Sequence, residues 1–233
     1  MKNTLLLAAT VVACVVLSGC SRDDTIMYGA ISMGTADSGT IVTDEGMTLK
    51  VVENPCEGNI SEKRRVHVIY DILRKEGPAR YQVRLNRILN VLTKDAIVAG
   101  SVPEEELGDD PIHISSAWES GSYINLLIAL AVVKDSSVKH LVNLVLDDPS
   151  ATDTLRFTLR HNAYGEYYRS PQLKEGAEIS TVASYASFPA NKLVPPGKDR
   201  MPVKISWTWY DNNEDGALSE TTRTYTLKGI ITP

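Results

Sequence analysis

The most constraining feature of the chain is a strict alternation of side chains in two neighbouring segments. Alternation runs from Arg65 to Leu73, ends at Glu76-Gly77-Pro78 and returns from Arg80 to Asn86. Because successive side chains of a β-strand point to opposite faces, both segments are predicted to be strands. Their apolar faces consist of Val66, Val68, Tyr70 and Ile72 in the first strand, and Tyr81, Val83 and Leu85 in the second.

Three further strand-sized runs precede these two. Ile26 to Met33 is the first, while Thr40 to Thr43 and Met47 to Val52 flank the hairpin signal Asp44-Glu45-Gly46, in which the glycine allows a positive φ. Five short strands within residues 25–95 predict a small OB-like β-barrel domain, although strand number alone does not separate it from other small barrels.

The chain loses this alternation after Asn86, and residues 96–111 are predicted to be a linker. Ser101-Val102-Pro103-Glu104 has the form of a capping box, which predicts a short helical turn ending by Gly108. Seven strand-sized runs follow in residues 112–233, and no amphipathic helix is available to cover a parallel sheet. We therefore predict an all-β chain, in which the barrel is followed by an antiparallel β-sandwich. The seven runs are Ile112 to Ile114, Tyr123 to Val133, Lys139 to Leu146, Thr154 to Arg160, Glu178 to Ser187, Pro202 to Tyr210 and Thr222 to Ile230.

The N-terminus carries the features of an export signal. Lys2 precedes an almost unbroken apolar run at residues 5–17, which is too short to span a bilayer but suits a signal peptide. Leu17-Ser18-Gly19-Cys20 looks like a bacterial lipobox. Residues 1–19 are therefore predicted to be a lipoprotein signal peptide, with Cys20 as the lipidated first residue of the mature chain.

Residues 20–24 form the predicted lipidated tether. Ser21-Arg22-Asp23-Asp24 resembles the signal that some Gram-negative lipoproteins carry for display on the cell surface, but a short polar tether would look the same. We expect a lipid anchor in the outer membrane, and leave surface exposure open. Once Cys14 is removed and Cys20 is acylated, Cys56 has no partner for an intramolecular disulfide, so the fold depends on core burial.

Short motifs carry a resemblance to a known family. They include Gly108-Asp109-Asp110-Pro111-Ile112, Gly121-Ser122-Tyr123-Ile124-Asn125, His140-Leu141-Val142-Asn143-Leu144 and Leu159-Arg160-His161-Asn162-Ala163-Tyr164-Gly165. Because these motifs occur in this order after a lipobox, the chain resembles the NigD-like lipoproteins. The resemblance implies an N-terminal OB-like domain and a C-terminal β-sandwich. It implies no catalytic motif and no assigned biochemical role, although the family is named after a bacteriocin-associated gene cluster.

The sequence contains no recognisable catalytic motif, phosphate loop or dinucleotide fingerprint, and its four histidines lack metal-ligand spacing. Asp211, Asn213 and Asp215 match the first half of a calcium loop, but Thr222 stands where a bidentate carboxylate is needed, so a plain hairpin is the alternative. We therefore expect no enzyme activity, no cofactor and no metal, with this loop as the calcium candidate.

Charge argues against a nucleic-acid partner. Residues 25–95 carry 10 Lys+Arg and 9 Asp+Glu, for a net charge of +1, and residues 96–233 carry 12 and 18, for −6. Single-strand binding needs a positive groove with stacking aromatics, whereas Tyr81 lies on the opposite strand face from Arg80 and Arg84.

The densest cluster of aromatic and basic residues is the candidate binding site. Exposed rings with nearby donors can stack on a sugar or anchor a protein, although tyrosines at strand ends also serve packing. We expect a non-enzymatic, lipid-anchored accessory or binding protein, with a bacteriocin immunity or inhibitor protein and a carbohydrate-binding surface module as alternatives. The expected partners are the membrane, through Cys20, and a protein or a glycan; the oligomeric state stays open. The candidate binding residues are Tyr164, Tyr167, Tyr168, Arg160 and His161.

Overall fold

The computed structural model describes residues 25–190, 193–194, 200–212 and 218–231. The predicted signal peptide and Cys20 lie outside these residues. Within the described ranges the chain forms fourteen strands and one short helix. They are β1 (Met27–Asp37), β2 (Thr40–Thr43), β3 (Thr48–Glu53), β4 (Arg64–Gly77), β5 (Arg80–Asn90), β6 (Leu92–Thr93), β7 (Ile97–Val98), α1 (Glu104–Leu107), β8 (His113–Ser120), β9 (Tyr123–Val133), β10 (Leu141–Leu146), β11 (Leu155–Asn162), β12 (Ile179–Pro189), β13 (Arg200–Asn212) and β14 (Leu218–Ile231).

The first five strands form a closed barrel in the order β1-β2-β3-β5-β4. Strand β3 pairs in parallel with β5, and the other neighbours, including the closing pair β1 and β4, are antiparallel. The predicted inward face of β4 is buried, as are Val83 and Leu85 of β5, and Gly46 has the positive φ (83°) expected of the hairpin. The all-β prediction is confirmed; the name OB-like stays a prediction for this five-stranded barrel.

The remaining strands form the two sheets of a sandwich, ordered β14-β13-β11-β10-β7 and β6-β12-β9-β8. The longest pairings, β9 with β12 and β13 with β14, are antiparallel as predicted. Strands β11 and β13 are parallel, however, so the expectation of a purely antiparallel sandwich needs correction. The reason is topological: β12 separates these strands in sequence but pairs in the opposite sheet, so the chain returns to β11 in the same direction.

The segment after β5 belongs to the sandwich and is not only a linker. Leu92 and Thr93 pair in parallel with β12, and Ile97 and Val98 pair in parallel with β10, so this segment adds one edge strand to each sheet. Two-residue strands are too short to show alternation, which explains why the sequence analysis predicted a linker at residues 96–111 and ended the barrel domain at residue 95.

The predicted helical turn occurs as α1, but the capping box does not form. The residue before α1 is Pro103, no side chain caps the helix, and the Ser101 hydroxyl instead donates to the Val98 carbonyl at 2.6 Å. Within the described residues, no helix is long and apolar enough to cross a membrane.

A buried ion pair lies where the barrel meets the sandwich. Arg65 of β4 donates to both carboxylate oxygens of Asp44 in the β2–β3 turn, with Nη2 to Oδ2 at 2.9 Å. The same Nη2 donates to Asn125 Oδ1 of β9 at 3.2 Å, and the guanidinium carbon lies 4.1 Å from the ring centre of Tyr123. Arg65 therefore links a turn of the barrel to a strand of the sandwich.

Asp44 also contacts the sandwich directly. The Ser120 hydroxyl donates to Asp44 Oδ2 at 2.5 Å, and Gly121 (φ 54°) packs so closely that an added Cβ would lie 2.6 Å from Asp44 Oδ1. Burial opposes ionisation of Asp44, but hydrogen bonds from Arg65 and Ser120 outweigh it and hold the pKa of this carboxyl below its usual value. The carboxylate therefore stays charged and paired with Arg65.

Candidate functional site

An open cavity of about 470 Å³ lies between two connections of the sandwich, residues 134–140 between β9 and β10 and residues 163–178 between β11 and β12. We call it the loop-end pocket. Its wall combines apolar side chains with hydroxyl, amide, carboxylate and ammonium groups, a mixture typical of sites that hold a polar ligand against an apolar surface. Among its lining residues are Val138, Leu173, Tyr164, Glu166, Gln172 and Lys174.

The backbone holds Tyr164 in an unusual conformation at this pocket. Its φ is 50°, and its amide donates to Asn162 Oδ1 at 3.0 Å. The next residue, Gly165, has φ 85° and packs against Gln172, where an added Cβ would lie 2.7 Å from Oε1. A non-glycine residue with positive φ is uncommon and such residues cluster at functional sites. Tyr164 is 52% exposed and lines the pocket.

Part of the pocket wall is fixed by hydrogen bonds between the two connections. The Ser136 hydroxyl donates to Glu166 Oε1 at 2.5 Å, and the Val138 amide donates to Ser136 Oγ at 3.1 Å. Glu166 thus joins the two connections while lining the pocket. This arrangement can accept and donate hydrogen bonds beside an exposed aromatic ring, which suits a sugar or a side chain of a partner protein.

The structure separates the predicted binding residues into two groups. Tyr164 lines the pocket, Tyr167 is half-buried, and Tyr168 is exposed with its hydroxyl 3.5 Å from Thr181 Oγ1 of β12. His161, by contrast, is only 1% exposed, because the alternation of β11 turns it into the interior. The prediction that His161 belongs to the binding surface is therefore wrong.

Arg160 also holds the fold together. Its Nε donates to the Gly108 carbonyl at 2.7 Å and its Nη2 lies 2.9 Å from Glu104 Oε2, which attaches the segment around α1 to β11. The guanidinium is already engaged by two protein groups, so the expected role of Arg160 in ligand binding is replaced by a structural one.

A pair of histidines connects the interior to the pocket. His161 Nδ1 donates to the Pro111 carbonyl at 3.1 Å, so in the neutral ring Nε2 accepts from His140 Nδ1, also at 3.1 Å. His140 Nε2 in turn lies 3.9 Å from Glu166 Oε2 at the pocket wall. The sequence did not predict this pair, whose members lie 21 residues apart; the hairpin of β10 and β11 was the signal that could have suggested it.

These histidines predict a pH dependence of stability. Burial, with a smaller contribution from His140, lowers the pKa of His161 to about 4. Because the unfolded chain takes up this proton near pH 6.5 and the folded chain only near pH 4, stability falls as pH drops through this window. We expect the free energy of unfolding to decrease by about 2 kcal/mol between pH 7 and pH 5 from this group.

Urea unfolding at both pH values checks this expectation, with His161→Gln as the comparison. Other titrating groups are shared by the two proteins, so the difference between them isolates the His161 contribution. An equal decrease in wild type and variant would show that His161 does not take up the proton on unfolding.

The structure describes only some of the remaining predicted site residues. Asp211 lies in β13, while Asn213 and Asp215 fall outside the described residues, so the calcium candidate stays a prediction. Among the residues that the structure describes, no group of three or more His, Cys, Asp or Glu side chains could hold a metal ion. Cys56 is half-buried, with its thiol 3.2 Å from Asn54 Oδ1.

Comparison with known proteins places the C-terminal body in a family. The model of the NigD-like C-terminal beta sandwich domain matches residues 96–220. No curated protein matches the chain. A NigD-like immunity protein from Bacteroides caccae ATCC 43185 is similar in structure, with a TM-score of 0.61 and 21% identity over 86% of this chain and 97% of that one.

Two further solved structures are similar. A protein of unknown function from Bacteroides vulgatus ATCC 8482 has a TM-score of 0.58 and 20% identity, covering 84% of this chain and 90% of that one. A "putative lipoprotein" from Bacteroides fragilis NCTC 9343 has a TM-score of 0.56 and 14% identity, covering 85% of this chain and 96% of that one. At these identities the similarity concerns the fold, and its coverage extends beyond residues 96–220 into the barrel.

Proposed function

This chain belongs to the NigD-like family, and from that premise we propose that it is a non-enzymatic, lipid-anchored accessory or binding protein of the cell envelope, attached to the outer membrane. Its activity consists of presenting a binding surface near the membrane. The lipobox and Cys20 support the anchor, as does the similarity of fold to the Bacteroides fragilis protein described as a lipoprotein.

The observation that carries the binding role is the presentation of Tyr164 at the loop-end pocket. The turn around it has a left-handed backbone at both Tyr164 and Gly165, and Asp110 reinforces it by accepting from the Ala163 amide at 2.7 Å. Of the seven described non-glycine residues with positive φ, Tyr164 is the one that presents an aromatic ring, and this ring is exposed at a pocket. A ligand that stacks on the ring and bonds to Glu166 or Gln172 would use the features that the turn maintains.

A glycan array tests the carbohydrate form of this proposal. We expect the mature protein to bind at least one oligosaccharide, and Tyr164→Ala to weaken binding by about tenfold, which corresponds to ~1.4 kcal/mol. Tyr28→Ala is the matched control, because Tyr28 is similarly exposed but lies on the barrel, and it should bind like the wild type. Absence of binding to every glycan would exclude a carbohydrate ligand and leave a protein as the partner.

A second candidate is an immunity or inhibitor protein, favoured by the similarity to the Bacteroides caccae NigD-like immunity protein. The net charge of −6 over residues 96–233 would suit a basic partner. In this case a strain lacking the protein should become sensitive to a bacteriocin produced by its relatives, and expression of the full chain should restore resistance. Unchanged sensitivity in the deletion strain would argue against this role.

A further inference from the structure

The body begins with three consecutive exposed side chains of apolar character. Ile26 is 61% exposed, Met27 is 50% exposed and Tyr28 is 57% exposed. In a regular strand successive side chains point to opposite faces, so a strand of a closed barrel should bury every second one. The rest of β1 follows this rule more closely, because Ala36 belongs to the barrel core and Ala30 packs against it, whereas the intervening Ile31 is 62% exposed. Residues 26–28 therefore differ from the remainder of the strand in having three consecutive exposed side chains.

A β-bulge lies directly after the first two of these residues. The pairing of β1 with β4 shifts between Met27 and Ala30, and Gly29 within the bulge has φ 65°. The Gly29 amide donates to Asp71 Oδ1 at 2.9 Å, and this hydrogen bond is the largest reason why the pKa of Asp71 lies below its usual value. Bulges re-aim side chains, and this one is held by a buried carboxylate. Asp71 also accepts hydrogen bonds from β5, from Arg84 at 2.9 Å and from Asn86 at 2.8 Å.

Backbone contacts keep the exposed residues in place. The Ile26 amide donates to the Ile72 carbonyl of β4 at 2.7 Å, so the hydrogen-bonded backbone begins immediately after Thr25. The three side chains are thus attached to the barrel and do not belong to the tether. Their position relative to the anchor is set by the length of chain between Cys20 and Thr25.

The length of chain between Cys20 and Thr25 indicates what covers these three side chains. Four residues lie between Cys20 and Thr25, and the five residue-to-residue steps, at about 3.5 Å each, span at most ~18 Å. The lipid on Cys20 would place this end of the barrel beside the headgroup region, which is roughly 5–8 Å thick on each side of the bilayer. Tyrosine is enriched at membrane interfaces, and isoleucine and methionine can enter the boundary below the headgroups.

We propose that Ile26, Met27 and Tyr28 insert into the interface of the bilayer leaflet that holds the lipid of Cys20. The barrel then docks on the membrane in one orientation and does not swing freely on its tether. This inference rests on the lipid anchor of the proposed function. It adds a second contact with the membrane, made by folded residues and maintained by the Asp71 bulge.

Spin labelling of the lipidated mature chain tests the insertion. The protein carries Cys56→Ser and Tyr28→Cys, is labelled with a nitroxide at position 28, and is reconstituted in vesicles of phosphatidylethanolamine and phosphatidylglycerol. The control carries the label at Val182→Cys, an exposed position on β12 of the sandwich. We expect the ratio of oxygen to nickel-chelate accessibility to be several-fold higher at position 28 than at position 182.

Each result decides the inference. Equal, aqueous accessibility at both positions on a lipidated protein would overturn insertion while leaving the lipid anchor intact. Dipolar broadening at position 28 without burial in the bilayer would indicate a second copy of the chain and would also overturn it. Mass spectrometry of Cys20 distinguishes failure of the lipid anchor from failure of the insertion alone. An unacylated cysteine would refute the anchor of the proposed function together with this docking.

Discussion

Replacement of Cys20 by alanine is expected to move the protein from the membrane fraction to the soluble fraction. Acylation of Cys20 would bury several tens of methylene groups at about 0.8 kcal/mol each, so attachment through several acyl chains is effectively permanent. The three exposed residues at the start of β1 are too few to replace that energy. Fractionation of cells that express the full chain, with mass spectrometry of the mature N-terminus, measures the effect.

Cys56→Ala is the matched control for this experiment. Cys56 is a half-buried thiol of the barrel, so its replacement removes a cysteine without affecting the predicted anchor. The variant should remain in the membrane fraction with Cys20 acylated. If Cys20→Ala stayed membrane-bound, the lipobox would not be the means of attachment.

Replacement of Arg65 by alanine is expected to lower the free energy of unfolding by about 3–5 kcal/mol, the usual range when one partner of a buried ion pair is removed. The substitution leaves the buried carboxylate of Asp44 without its main partner, and Asn125 Oδ1 keeps only the hydrogen bond from the Ser187 hydroxyl. It also removes the cation over the Tyr123 ring. Because these contacts join the barrel to the sandwich, both bodies should be affected.

Arg64→Ala separates this effect from the loss of an arginine in general. Arg64 precedes Arg65 in β4, and its salt bridge is with Glu62, whose side chain is largely exposed. Exposed pairs contribute about 0–1 kcal/mol, so this variant should unfold nearly as the wild type does. Urea unfolding of both variants at pH 7 provides the comparison, and a loss as small for Arg65→Ala as for Arg64→Ala would show that the ion pair does not hold the junction.

The contrast between Arg64 and Arg65 also shows where sequence reasoning reached its limit. Alternation identified β4 and its buried face, because it depends only on residues within the strand. It could not show that Arg65 is buried, since the partners of Arg65 lie 21 and 60 residues away. Burial of a charge is decided by tertiary contacts, which a local pattern does not contain.

The edges of the sandwich were missed for a related reason. The β6 and β7 strands have two residues each, and they are strands because β12 and β10 lie beside them. The long strands were easier to predict: the apolar run from Tyr123 to Val133 is β9 with the same bounds.

At the candidate site, sequence reasoning located Tyr164 but misjudged its neighbours. His161 continues the inward series Leu155, Phe157 and Leu159, so the period of two along β11 could have predicted its burial. The role of Arg160 was beyond local reasoning, because it depends on Glu104 and Gly108, more than 50 residues earlier in the chain. The left-handed backbone at Tyr164 likewise depends on the turn as a whole.

The proposed membrane anchor and the loop-end pocket belong to different parts of the chain. In the proposed function residues 20–24 would tether the barrel to the bilayer, while the Arg65 junction couples the barrel to the sandwich and the sandwich holds Tyr164 at the loop-end pocket. On this proposal, binding close to the membrane would depend on both the lipid and the junction.

Photocrosslinking from the pocket in intact cells tests the central claim most directly. A benzoylphenylalanine at position 164 of the lipidated chain is compared with the same residue at position 182 on β12. We predict a discrete crosslinked product from position 164 that is absent from position 182 and is reduced when Cys20 is replaced by alanine. No product from position 164 above the level seen at position 182 would contradict the claim that this pocket is where the protein binds.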